Sequence, residues 1–228
     1  MPKLPPPHGA HCIAGNELRY YFTVNGRYVR NKLKLLLFPF SLRGHWNRSL
    51  EQTGGGGPKY RPPVSDINAP DLYIPLMALF SYCLCCCVAD ISSSPSRFAP
   101  ERLGRFLWWA CAAWASEALL LWVGLKSLAT AQAAVHVPLL DLLAYAGYAF
   151  VPIALQCALA LFSRRAYYAA LLWGGLCTAV VMVKTMKRIV YAEARQYSAD
   201  SHRRNYLLLG IALLQLPFAY WLGHFPSR

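Results

Sequence analysis

Eight cysteines, two carboxylates in apolar surroundings and a file of tyrosines are the residues of this sequence that could do chemistry. Four cysteines crowd into "CLCCC": Cys83, Cys85, Cys86 and Cys87. Such a cluster could hold a metal, exchange disulfides or carry a lipid. A helix turns 100° per residue, so the four thiols point to roughly 0°, 200°, 300° and 40°. One helix cannot gather them round a tetrahedral ion, and neither a CxxC pair nor a nearby histidine joins them. Palmitate usually goes onto a juxtamembrane cysteine, whereas these lie inside an apolar run. The plainest reading is small apolar packing residues. The six histidines are scattered, and no GxSxG, HExxH or P-loop pattern is present. The expectation is no catalytic residue, no metal and no cofactor.

The carboxylates carry more information. Glu117 sits in "ACAAWASEALLLWVG", where Ala110, Ala113, Glu117 and Gly124 follow one helical face. An ionisable group inside an apolar span is a functional hypothesis by default, and small neighbours let another helix come close. Asp141, Tyr145, Tyr148, Pro152 and Gln156 are spaced four, three, four and four, a polar stripe on one helix. A hydrogen bond from one of these tyrosines to Glu117 is expected to join the two segments. The stripe is either structural glue or a pathway for a small molecule or ion using Glu117 and Asp141. Coupled transporters, though, typically show inverted repeats and broken helices, and no internal repeat is visible.

These residues sit on five apolar stretches, at about 72–90, 103–124, 139–162, 166–183 and 206–224. Each is near the roughly 20 residues that span a bilayer core. The chain has 228 residues, 56% hydrophobic and 14% charged, against about a quarter charged in soluble domains. An all-α bundle of five transmembrane helices follows (72–228), behind a polar N-terminal region (1–71), partly disordered. The net charge of +13 lies before and between the spans. That suits membrane flanks and argues against nucleic acid as a partner. Residues 1–30 lack the apolar core of a secretory signal, so the first span is expected to direct targeting.

With the N terminus cytosolic, 17 Lys and Arg fall on the cytosolic side against 6 on the other. The sequon Asn47-Arg48-Ser49 should then stay bare. In "GRYVRNKLKLLLFPF" (26–40), Val29, Leu33, Leu36, Leu37 and Phe40 share one helical side. Arg27, Arg30 and Lys34 share the other. This amphipathic helix either lies in anionic headgroups or packs on the bundle. "GGGGPKYRPP" (54–63) reads as a linker, flexible and then extended. "NAPDLYIP" reads as a helix start. Asp71 is placed as the N-cap, Tyr73 follows, and Pro75 takes the fourth helical position, where a missing N–H loses no bond.

Several stretches resemble the Yif family, the Yip-interacting factor homologues. "SDINAPDLYIPLMALFSYCL" is similar to that family's approach to the first span, and "LLAYAGYAFV" (142–151) to its Tyr-Gly-Tyr segment in span three. "NELRYYFTVNGRYVRNKLKLLLFPF", "FAPERLG" (98–104), Glu117 and "QLPFAYWLGH" also fit, so the similarity covers the chain from about Gly15. Two departures are a shorter N-terminal tail and Ala149, where the family often has a basic residue. The resemblance implies a multi-pass scaffold or adaptor of the endoplasmic reticulum and Golgi membranes, N terminus cytosolic, in vesicle-mediated transport. It implies pairing with a Yip-type membrane protein as a hetero-oligomer and links to Rab GTPases or coat machinery. On this reading Asp71, Tyr73, Pro75, Glu117, Asp141, Tyr145, Tyr148 and Gln156 are the partner or packing candidates. Arg27, Arg30 and Lys34 are the contacts with membrane lipid. The alternatives are the transporter above and a membrane-shaping protein acting through 26–40.

Overall fold

The computed structural model describes residues 18–40, 46, 48, 50–51, 59–93, 100–128, 137–194 and 201–224. Asn47, Ser49 and Cys12 lie outside the described residues. The elements run α1 (Gly26–Leu37), β1 (Leu50–Glu51), β2 (Lys59–Tyr60), α2 (Tyr73–Ser93), α3 (Pro100–Leu128), α4 (Leu139–Gly147), α5 (Phe150–Ala160), α6 (Arg164–Ala194) and α7 (Ser201–His224). Among the described residues, five stretches are long and apolar enough to cross a membrane: Tyr73–Ser92, Glu101–Ser127, Leu139–Ala160, Arg164–Val190 and Asn205–His224. The chain is an all-α integral membrane protein. Large side chains such as Trp108, Leu119, Leu172 and Leu213 are exposed on its outside, where hydrocarbon is the solvent.

Span three is the hub. Of its most apolar window 78% is buried, against 28–44% for the other four. It is made of α4 and α5, interrupted at Tyr148–Ala149. Pro152 causes the break: it has no N–H, and its ring clashes with the carbonyl four residues back. The Tyr148 carbonyl is taken instead by Val151 N at 3.2 Å, a tightened turn.

Close helix approach depends on glycine at two levels of this hub. A Cβ on Gly147 would lie 2.5 Å from Pro75 Cβ and 2.8 Å from Trp114 Nε1, and one on Gly174 would lie 2.8 Å from Pro152 Cβ. Pro75, near the start of span one, is therefore level with Gly147, eight residues into span three. Since Pro75 is itself two residues into span one, span one begins about 9 Å deeper than span three at a rise of 1.5 Å per residue. The recess this leaves is filled by the described residues between 18 and 72, which form a cap on that end of the bundle.

Helix α2 starts almost as read. Asp71 Oδ1 accepts from Ile74 N at 2.8 Å. The first helical bond, Leu76 N to Leu72 O at 3.2 Å, makes Leu72 the backbone N-cap. Pro75 is thus the third helical position, one earlier than expected, and its missing N–H is one of the unpaired first-turn donors. In the linker, Leu50 pairs with Tyr60 and Glu51 with Lys59 as a two-residue antiparallel ladder. Residues 52–58 lie outside the described residues.

Candidate functional site

The site is the seam between the cap and the bundle. At its centre is Asp71, fully buried. Its Oδ2 accepts from Tyr28 of α1 and from Tyr148 of span three, both at 2.8 Å. Tyr148 in turn accepts from the Asp71 backbone N–H at 2.9 Å. One carboxylate thus caps α2 and ties together α1, α2 and the interrupted hub helix. Below the Tyr28 ring, Lys32 donates to the carbonyls of Ile67 at 2.6 Å and Ala69 at 3.0 Å. Its Nζ stands 4.9 Å from the Tyr148 ring centre, a cation–π distance. Burial pulls the Lys32 ammonium down to about 8, against the opposing pull of Asp71. Burial, and then the Asp71 charge, push the Tyr28 phenol far above its ordinary range.

A second cluster closes the rim. Tyr21 donates to Asp141 Oδ1 at 2.5 Å, and Arg48 reaches Asp141 Oδ2 at 3.2 Å and the Tyr20 hydroxyl at 2.9 Å. From α6, Arg188 donates to Tyr145 at 2.8 Å and to the Trp46 carbonyl at 3.0 Å. Helix α6 runs on past the stretch 166–183 read in the sequence and carries Lys184 and Arg188 to the cap. The Tyr-Gly-Tyr segment now has a physical account: Tyr145 meets Arg188, Gly147 admits Pro75 and Trp114, and Tyr148 meets Asp71.

Deeper in the bundle, Glu117 Oε1 accepts from Gln215 Nε2 of α7 at 2.9 Å. The expected bond from Glu117 to a span-three tyrosine is not formed, because those tyrosines are drawn up into the cap. The polar stripe is correspondingly divided. Asp141, Tyr145 and Tyr148 serve the cap, Pro152 breaks the helix, and Gln156 lies against Gly223 and Tyr167 near the other end. Glu117, Asp141, Tyr145, Tyr148, Gln156 and Asp71 are all buried within the chain, whereas Tyr73 is exposed. Glu117 and Asp141 share no site.

Helix α1 packs on the bundle, and its buried face is rotated from the apolar side read in the sequence. Tyr28, Lys32, Leu35 and Leu36 are buried, Val29, Leu33 and Leu37 are partly buried, and Phe40 is exposed. The polar anchors Tyr28 and Lys32 turn the helix towards Asp71. Arg27, Arg30 and Lys34 are exposed. In α2, Cys83, Cys86 and Cys87 are buried and Cys85 is half-buried. Among the described residues no group of three His, Cys, Asp or Glu could hold a metal.

Sequence reading missed Tyr20, Tyr21, Tyr28, Lys32, Arg48, Arg188 and Gln215. The i, i+4 pair Tyr28 and Lys32 beside an apolar stripe, and the lone amide of Gln215 in span five, were the available signals. Nothing local marked Arg48 or Arg188.

The sequence profile of the YIF1 family matches residues 10–223. "Protein YIF1B" of Xenopus tropicalis is 34% identical over 223 residues, covering 95% of this chain and 70% of that protein. "Protein transport protein yif1" of Schizosaccharomyces pombe is 34% identical over 220 residues, covering 92% and 73%. "Protein YIF1B" of Homo sapiens is 33% identical, covering 90% and 64%. No solved structure matches.

Proposed function

Because the chain belongs to the YIF1 family, we propose that it is a non-enzymatic membrane adaptor in protein transport between the endoplasmic reticulum and the Golgi. Relatives whose names read "protein transport protein" support the process. In this reading the N terminus is cytosolic, a Yip-type membrane protein pairs with the spans, and Rab GTPases or coat machinery meet the cap. The observation that carries the adaptor role is the separation of the buried carboxylates. Asp71 and Asp141 bond through both oxygens within the cap seam, whereas Glu117 meets Gln215 through Oε1 deeper in the bundle, its buried Oε2 having no partner among the described residues, so Glu117 and Asp141 share no site for a transported solute. A stripe this buried stabilises the bundle and is not itself the partner's seat. The seat is left to the outward faces of spans two and five, whose most apolar windows are only 28% buried.

Proximity labelling from the N terminus in intact cells tests location and partners together. Enrichment of Yip-type proteins and early secretory Rab or coat components is expected. Labelling confined to another compartment, or to lumenal proteins, refutes the reading. Asn47 should remain unglycosylated, and a glycan there reverses the orientation.

A further inference from the structure

Helix α1 does not stay at the level of the cap. The Leu37 carbonyl at its C-terminal end accepts from Trp173 Nε1 at 3.0 Å and from Cys177 Sγ at 3.2 Å. Cys177 is the middle residue of the α6 apolar window, Arg164–Val190. At 1.5 Å per residue along α6, it lies about 10 Å below Lys184 and about 16 Å below Arg188. Half a hydrocarbon core is about 15 Å. Pro39 and Trp46 are held by basic residues higher on the same helix. Lys184 Nζ reaches the Pro39 carbonyl at 3.5 Å and stands 4.6 Å from the Trp46 ring centre, and Arg188 holds the Trp46 carbonyl. Residues 37, 39 and 46 are therefore all fixed to one helix, and the lowest contact is at the middle of its apolar stretch.

The outer surface of this hairpin suits lipid. Phe38 and Phe40 are 53% and 52% exposed, and both rings pack against Trp173, itself 44% exposed. Over water such an aromatic patch would be costly. Facing acyl chains it costs nothing. Arg27, Arg30 and Lys34 are exposed higher up, the helix carries no acid, and long basic side chains snorkel to headgroups. Backbone away from helices is tolerated at membrane depth where it rests on protein, as it does here on Trp173, Cys177 and Lys184.

We propose that α1 and the Phe38–Pro39–Phe40 turn form a re-entrant wedge in the cap-side leaflet. The wedge contacts acyl chains through Phe38 and Phe40 and anionic headgroups through Arg27, Arg30 and Lys34. It occupies one leaflet only, so the protein takes more area there and prefers membranes whose cap-side leaflet is convex.

The test uses the full chain in phosphatidylcholine–phosphatidylserine vesicles. A fluorophore is placed at Phe40→Cys or Arg27→Cys, with Cys12, Cys85 and Cys111 replaced by Ala. Monodispersity and unchanged amide exchange in α6 establish that each variant is folded. Position 40 should be quenched more by a nitroxide in mid acyl chain than by one on the headgroup, and position 27 should show the reverse. Quenching of position 40 only by headgroup nitroxide or aqueous iodide overturns the wedge. So does its protection from all quenchers, which would mean a second copy covers the turn. In giant vesicles with the N terminus outward, the protein should be enriched in pulled tubes, and Phe38→Ser/Phe40→Ser should lose that enrichment. Equal density in tube and vesicle for the unmodified chain overturns the curvature preference.

Discussion

Replacing Asp71 by Ala should release the cap while leaving the spans folded. The side chain serves three donors: Ile74 N, Tyr28 Oη and Tyr148 Oη. Tyr28 keeps a second acceptor, the Ala69 carbonyl at 3.1 Å, so its loss is partial. Losing the first-turn acceptor costs about 1 kcal/mol. Leaving the buried Tyr148 hydroxyl without an acceptor costs about 1–3 kcal/mol. The sum is about 3 kcal/mol, or about a hundredfold in the equilibrium for opening the cap at 1.4 kcal/mol per decade. Opening is local, because the span amides are paired within their own helices. Hydrogen exchange in lipid nanodiscs reads it directly: the amides of α1 should exchange about a hundredfold faster, with those of α6 unchanged as the internal reference. Asp71→Asn should fall between, since an amide keeps one acceptor oxygen but presents N–H donors to a cluster of donors. Tyr148→Phe should be milder still. If Asp71→Ala leaves α1 exchange at its original rate, the seam does not hold the cap and the reasoning fails.

Lys32 gives the cap a pH dependence. Its folded value, about 8, lies below its ordinary 10.5 because burial disfavours the charge, so the unfolded segment binds more protons between these values and cap stability rises with pH across that window. The protection of the α1 amides, taken relative to their intrinsic base-catalysed exchange rate, should rise from about pH 8 to pH 10, above which unfolded tyrosines ionise, and Lys32→Met should flatten that rise. Gly147→Ala should lower the thermal midpoint by the equivalent of about 1–3 kcal/mol, because its methyl meets Pro75 and the Trp114 indole; an unchanged midpoint would mean these helices are not in contact. A double-mutant cycle on Glu117→Ala and Gln215→Ala should give a coupling of about 0.6–1.7 kcal/mol, measured by unfolding in detergent. Additive effects would place the two side chains apart.

The five spans were legible because their signal is one-dimensional. A bilayer demands about 20 apolar residues in a row, and a helix or helix pair takes up most of each predicted stretch, leaving out residues 72, 148–149 and 161–162 and running on past 183 in α6 to Ala194. The start of span one was legible for a similar reason. An N-cap and an early proline act within one helical turn, and the error was a single position. The amphipathic helix was found, but not the face it buries. Hydrophobicity favoured Val29 and Leu33, while the bonds of Tyr28 and Lys32 to residues about 40 positions away turned the helix.

What the sequence alone determined is therefore the class of environment: which segments are apolar enough for lipid, where they start, and which polar groups they carry inside. Tertiary structure decided which polar groups meet. Glu117 could have paired with any helix that brought a donor to its depth. It meets Gln215 because Gly147 and Pro75 set span one low, and the recess this opens takes the span-three tyrosines for the cap. Helix periodicity gives the direction of a side chain about its own axis, but not the relative height of neighbouring helices. That height is fixed by where glycine permits contact, and it is why one polar stripe was divided between the cap and the bundle interior.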